Sequence, residues 1–238
     1  MHLHPTFRLR ATRSFLSGWI SALIIILSLS AVHAQPSPGS AGDFFKSITG
    51  DWVGICEQST DGEQAENKYF HANIKQAGTD TFNSEFRYYL TDASGKPVQI
   101  GSASMTTTIQ PDGTAINKIN GTGTMLVQKK PTQQKHDLTE VLVCNDTSSM
   151  SGKITGKIDV SGMPFGLGKN VKVANSTSKW ALNNGTLEFQ QTIKAGIKVF
   201  VFSKTFTVVA NSTATRGTDV VSLMKAEARI ASKPHATP

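Results

Sequence analysis

The side chains able to act as nucleophile, base or metal ligand are few and poorly spaced. Past the N-terminal region the imidazoles are His71, His136 and His235, the thiols are Cys56 and Cys144, and Glu140 is the acid whose position invites a role. Nucleophilic catalysis needs a nucleophile, a base within hydrogen-bond reach and a group that orients the base. His71 shares a strand face with Asn73 and Lys75, His136 stands at a strand start beside Lys135, and His235 lies in a polar tail, so each reads as a surface residue. His136 and Asp137 are neighbours, but adjacent strand residues point to opposite faces and form no dyad. The chain has no G-x-S-x-G, no glycine-rich phosphate loop and no metal-ligand spacing. Glu140 has the parity of Leu138 and Leu142: it is either a buried carboxyl, and then the first residue to test, or an ordinary acid at a bulge or strand end. The reading is of a non-enzyme with no cofactor.

Binding is better motivated. Phe200, Phe202, Phe206 and Val208, with Phe82, Phe86, Tyr88, Trp180 and Phe189 from other strands, would line an apolar cavity for a small hydrophobic molecule. The alternative is that the same side chains fill a solid core, leaving an envelope structural or protein-interaction domain. In the 162–168 segment three glycines and a proline exclude regular structure, while Met163, Phe165 and Leu167 are apolar. Phe165 then belongs either to a lid over a cavity mouth or to a loop folded back onto the core.

These residues need strands to position them. Phe82, Ser84, Phe86, Tyr88 and Leu90 alternate with Thr81, Asn83, Glu85, Arg87 and Tyr89, and Leu187–Ile193 and Phe70–Ile74 repeat the same period of two. Asp61-Gly62, Ser94-Gly95, Asp112-Gly113, Asn120-Gly121 and Asn184-Gly185 are dipeptides suited to tight hairpins. The strands fall at 50–57, 68–76, 81–90, 98–109, 114–128, 137–144, 150–160, 171–182, 186–194 and 197–209. A turn of helix is expected near 40–48, and 218–230 stays open between strand and helix. Sequential hairpins favour an all-β, up-and-down antiparallel barrel, because closure removes sticky edges; a two-layer β-sandwich is the alternative. Thr107-Thr108, Gly121 and Gly123 are candidate bulges.

The N-terminus carries an address. Arg8, Arg10 and Arg13 precede an apolar run, and Val32-His33-Ala34 offers small residues at signal-peptidase spacing. The expected organisation is a signal peptide at 1–34, a flexible leader at 35–42, a β domain at 43–230 and a polar tail at 231–238, in a periplasmic or secreted protein. No stable membrane insertion follows cleavage. The three arginines leave with the signal, which lowers the formal charge of +7 to +4. That mild excess, with Lys129-Lys130 as the only adjacent basic pair, does not describe a nucleic-acid surface. In an oxidising compartment Cys56 and Cys144 are expected to form a structural disulfide worth about 4–5 kcal/mol. Oligomeric state is not legible.

One local pattern adds a family resemblance. Phe44-Phe45-Lys46-Ser47-Ile48 leads into Gly50-Asp51-Trp52-Val53-Gly54, which resembles the opening of lipocalin-like domains, a helical turn followed by G-x-W; the same G-x-W also opens avidin-like barrels. The resemblance implies that Trp52 covers the closed end of a barrel, that Gly50 lets the backbone pass close beneath it, and that Arg216 or Arg229 stacks on the indole.

Overall fold

Period-two patterning along the chain is realised as ten strands: β1 Gly50–Thr60, β2 Glu66–Gln76, β3 Thr81–Thr91, β4 Pro97–Ile109, β5 Ala115–Val127, β6 Lys130–Cys144, β7 Ser149–Val160, β8 Val171–Asn183, β9 Thr186–Val199 and β10 Phe202–Arg216. Two helices flank them, α1 Ser40–Ser47 and α2 Val220–Ala231. The computed structural model describes residues 40–62, 65–92, 94–127, 130–161, 171–199 and 202–231. The expected signal peptide, the 162–168 segment with Phe165, Phe200 and most of the polar tail lie outside the described residues.

Each strand pairs antiparallel with its neighbours in sequence, and β1 also pairs with β10, so the sheet closes into an up-and-down barrel. The two-layer alternative is thereby set aside. Asp61 and Asn184 take the positive φ angles of 52° and 49° that their dipeptides promise, each followed by a positive-φ glycine. The lipocalin barrels hold eight strands; ten enclose a wider interior, more than side chains alone fill.

One end of the barrel is plugged. Phe44, Phe45, Ile48 and Trp52 are buried together with Ile74, Phe82, Leu142 and Leu187. The Trp52 indole donates to the Ile48 carbonyl at 2.7 Å. The Arg216 guanidinium lies 4.1 Å above the Trp52 ring and donates to the carbonyls of Ser47 (2.6 Å) and Thr49. Of the two candidate arginines, Arg216 does the stacking, because β10 pairs it directly opposite Trp52. Gly50, at φ 124°, passes so close under this guanidinium that a Cβ there would collide with it.

The structure corrects several expectations. The 218–230 stretch is helix α2: Asp219 accepts from the Ser222 amide and hydroxyl at 3.0 and 2.6 Å, capping the start. Val220, Leu223 and Met224, spaced for one helical face, pack outside the barrel against Val53, Tyr69 and Tyr89. Residues 40–42, expected in the leader, belong to α1. Asn120-Gly121 is not a turn but sits inside β5, where Gly121 faces His136 and its missing side chain leaves room for the imidazole. The expected bulge at Thr107-Thr108 is replaced by one at Tyr88/Tyr89, which leaves Ile100 as the extra residue of β4. Ala195 and Gly196, expected between the last two strands, stay paired within β9, which runs to Val199.

The disulfide is the largest correction. Cys56 and Cys144 are both free. Their inward parity is as expected, with Gly54 and Leu142 buried beside them on β1 and β6. But β1 and β6 are five strand steps apart whichever way the barrel is followed. At about 4.8 Å per step the Cα atoms face each other across the interior, beyond the ~7 Å a disulfide tolerates.

Candidate functional site

Above the plug the interior opens into a cavity of about 230 Å³. Its floor follows from the order of inward residues along each strand. Trp180 packs edge-on against Phe189, with ring centroids 4.3 Å apart, and against Phe45 of the plug at 5.8 Å. Phe70 meets Phe189 and Tyr88 at 6.3 Å, and Phe86 meets Phe189 at 6.4 Å. Met105, Ile119, Leu138, Ile154 and Ile193 complete an apolar wall.

Of the residues expected to line a cavity, Phe86, Tyr88, Trp180, Phe189, Phe206 and Val208 do so. Phe82 does not. It faces inward, but it sits below the floor against Phe45, ring centroids 5.6 Å apart, and is 0 % exposed. Its position two residues nearer the plugged end than Ser84, and four nearer than Phe86, explains the difference. Phe202 begins β10, but its side chain is not among those described, and Phe165 and Phe200 lie outside the described residues altogether.

Polar groups converge on the same space. Lys68 is only 6 % exposed, lines the cavity, and donates from Nζ to Gln58 Oε1 at 3.2 Å, with Glu66 Oε2 at 3.5 Å. It enters because its parity is that of Phe70, Ala72 and Ile74, and β2 begins two residues before it, at Glu66. Cys56 and Ser212 lie beside it in register, and Gln134 and Gln191 are further along the wall. Burial pushes the Cys56 thiol and the Tyr88 phenol up, so both stay uncharged.

His136 is a correction. It lines the cavity rather than the surface, because β6 starts at Lys130 and its even-numbered residues face in. Burial holds its imidazole below the ordinary range. His71 does face outward, bonded at 2.9 Å to Asp51, which also accepts from Asn73 at 2.7 Å. Both ends of the choice for Glu140 are decided as well: it is wholly buried, accepting from Asn117 Nδ2 at 2.7 Å and Trp180 Nε1 at 3.2 Å. Burial raises its carboxyl above the usual range, and polar contacts with Ser178, Asn117 and Trp180 offset part of the rise. Thr107, Asn117 and Glu140 stand directly opposite one another across β4, β5 and β6, a polar row just below the cavity wall residues Met105, Ile119 and Leu138. Ser84 Oγ, Thr107 Oγ1 and Asn117 Oδ1 in that region are buried without a hydrogen-bond partner.

Sequence reasoning missed Lys68, Gln58, Gln134 and His136. Lys68 already shared the parity of Phe70 in the expected strand; Gln58 needed β1 to run past residue 57, and Gln134 and His136 needed β6 to start at Lys130 rather than 137. Among the described residues no group of three His, Cys, Asp or Glu could hold a metal ion, and no helix is long and apolar enough to cross a membrane.

No protein-family model matches the chain, and no curated protein matches it significantly. Solved structures with a similar fold include Rv2717c from M. tuberculosis, at 9 % identity and TM-score 0.45 over 75 % of this chain and 98 % of that one. A redesigned β-barrel matches at 12 % identity and TM-score 0.30, over 77 % of this chain and 99 % of that one. The S-type phycobiliprotein lyase CPES from Guillardia theta matches at 11 % identity and TM-score 0.36, over 75 % and 93 %. No ligand or activity of this chain is read from likenesses at that level.

Proposed function

We propose that this protein is a non-catalytic, exported carrier that holds one small, largely apolar molecule inside its barrel. The observation that supports it is the cavity of about 230 Å³ on the side of Trp180 away from the plug, walled by aromatic and aliphatic side chains with a few polar groups among them. That composition is what small-molecule sites share, and the volume, below the roughly 300–1,000 Å³ of drug-sized sites, calls for a small ligand. The plug of α1 and Trp52 closes one end to the molecule. Export rests on the basic and apolar pattern before Gln35.

Native mass spectrometry of protein purified from its own compartment tests the reading. A co-purifying small molecule, on a chain beginning at Gln35, is the expected result. Ala103 lines the cavity and is buried, so Ala103→Phe should fill the space and abolish uptake of the neutral dye Nile red while the fold persists. If the unaltered barrel excludes Nile red and carries nothing, the filled-core interaction domain becomes the better account. Turnover of ester substrates that vanished in Glu140→Gln would instead make the protein an enzyme.

A further inference from the structure

We propose that the cavity selects an amphipathic carboxylic acid, its carboxylate seated on Lys68 and its apolar body directed toward Trp180 and Phe189. The inference rests on the carrier reading and narrows it to a ligand class. Among the described residues Lys68 is the one formally charged side chain on the cavity wall; no Asp or Glu lines it. An ammonium removed from water is costly unless matched by charge and hydrogen bonds. Lys68 has three N–H donors. One meets a neutral amide, Gln58, and another faces Glu66 at 3.5 Å, a carboxylate whose side chain is 36 % exposed and therefore screened by solvent. One donor and much of the charge remain for a partner inside the barrel.

Position agrees with charge. Lys68 is the third residue of β2, on the half of the strand away from the plug, and the next inward residue toward the plug is Phe70. From there the wall is aromatic: Phe70, Phe86, Phe189 and finally Trp180. A ligand with one anionic end and an apolar remainder satisfies both regions at once. An apolar ligand without a head would leave Lys68 facing hydrocarbon, and a cationic one would meet a like charge with no acid on the wall to offset it. The remaining polar lining includes the neutral Thr122, Thr124, Gln134, Gln191 and Ser212, which add donors compatible with an anion, and His136, which holds no negative charge.

Calorimetric titration of the purified protein with octanoate, octanol and octylamine at neutral pH, with Nile red binding followed in parallel, tests this. Octanoate should bind roughly ten- to a hundredfold more tightly than octanol, the range of a charge-assisted hydrogen bond, and octylamine most weakly. Lys68→Met should reduce octanoate to the affinity of octanol, and Lys68→Arg should keep the preference. Equal affinity for octanoate and octanol in the unaltered protein, or a preference that survives Lys68→Met, overturns the assignment of the head group. Failure of Nile red and of all three ligands to bind would overturn the carrier reading itself, a distinguishable result.

Discussion

Glu140 and His136 place two titratable groups in the barrel interior with opposite consequences for stability. Burial raises the Glu140 carboxyl, so the folded protein favours the protonated acid. The associated stability is fully present below the unfolded-state value of 4.5 and is lost as pH climbs through the higher native value. The His136 imidazole is held below 6.5, so its contribution is present above that pH and is lost as pH falls through the lower native value. Urea midpoints measured from about pH 4 to pH 9 should therefore flatten on the alkaline side in Glu140→Gln and on the acid side in His136→Phe. A Glu140→Gln profile superimposable on the parent's would show that this carboxyl does not titrate in that range. At the plug, Arg216 combines a stacking contact with donation to two carbonyls that end α1 and its following turn. Arg216→Ala should cost about 1–3 kcal/mol of unfolding free energy by denaturant titration, through lost cation–π attraction and unsatisfied carbonyls.

The two helices act on different faces of the sheet. Helix α1 seals the barrel by inserting Phe44, Phe45 and Ile48 between strand ends, which makes it part of the main core. Helix α2 lies outside, on β1 and β2, and among its described side chains only Val220 and Met224 are fully buried, with Leu223 partly covered. An element held by so few apolar contacts belongs to the low-stability part of a fold. Met224→Lys should release α2, read as lost amide-exchange protection across 220–231, while protection of β6 to β9 and Nile red uptake remain. Loss of protection throughout the barrel would mean instead that α2 is integral to it. The separation has a physical basis: a two-faced strand wall such as β1 needs cover outside Val53 as well as inside Trp52, and each helix supplies one side.

At the scale of the whole molecule, strand number decides both what the interior holds and what it cannot link. Ten strands leave a lumen that the plug fills at one end and that stays open as a cavity beyond Trp180. The same width separates Cys56 from Cys144. Alkylation of the protein unfolded without reductant should therefore modify both thiols, and reductant should leave the melting temperature unchanged. A mass two units lighter, with neither thiol labelled, would mean that the strand order has been misassigned. A barrel sealed by side chains rather than by a bridge gains its stability from burial of the plug and of the apolar wall, and it tolerates a ligand-sized gap at the cost of some packing.

What the sequence determined by itself is what depends on near neighbours. Alternation in residues 81–90 and 186–194, and the Asp-Gly and Asn-Gly turns, identified an all-β meander, because strand pleat and turn geometry are settled within a few residues. Gly50 and Trp52 were legible for a related reason, since a short pattern carried the closed end with it, whereas the choice of Arg216 over Arg229 waited for the pairing of β10 with β1. The tertiary structure alone decided the rest. Val220-Val221 stays open between strand and helix until Asp219 caps it and Met224 finds the outer wall, and Glu140 stays open between a buried carboxyl and an ordinary acid until Asn117 and Trp180 arrive from other strands. Lys68 and His136 acquired meaning from where their strands begin, a boundary that pairing with Gln58 and Gly121 sets across the sheet. The fate of the cysteines followed from the circumference of a closed barrel, which no stretch of chain shorter than all ten strands contains.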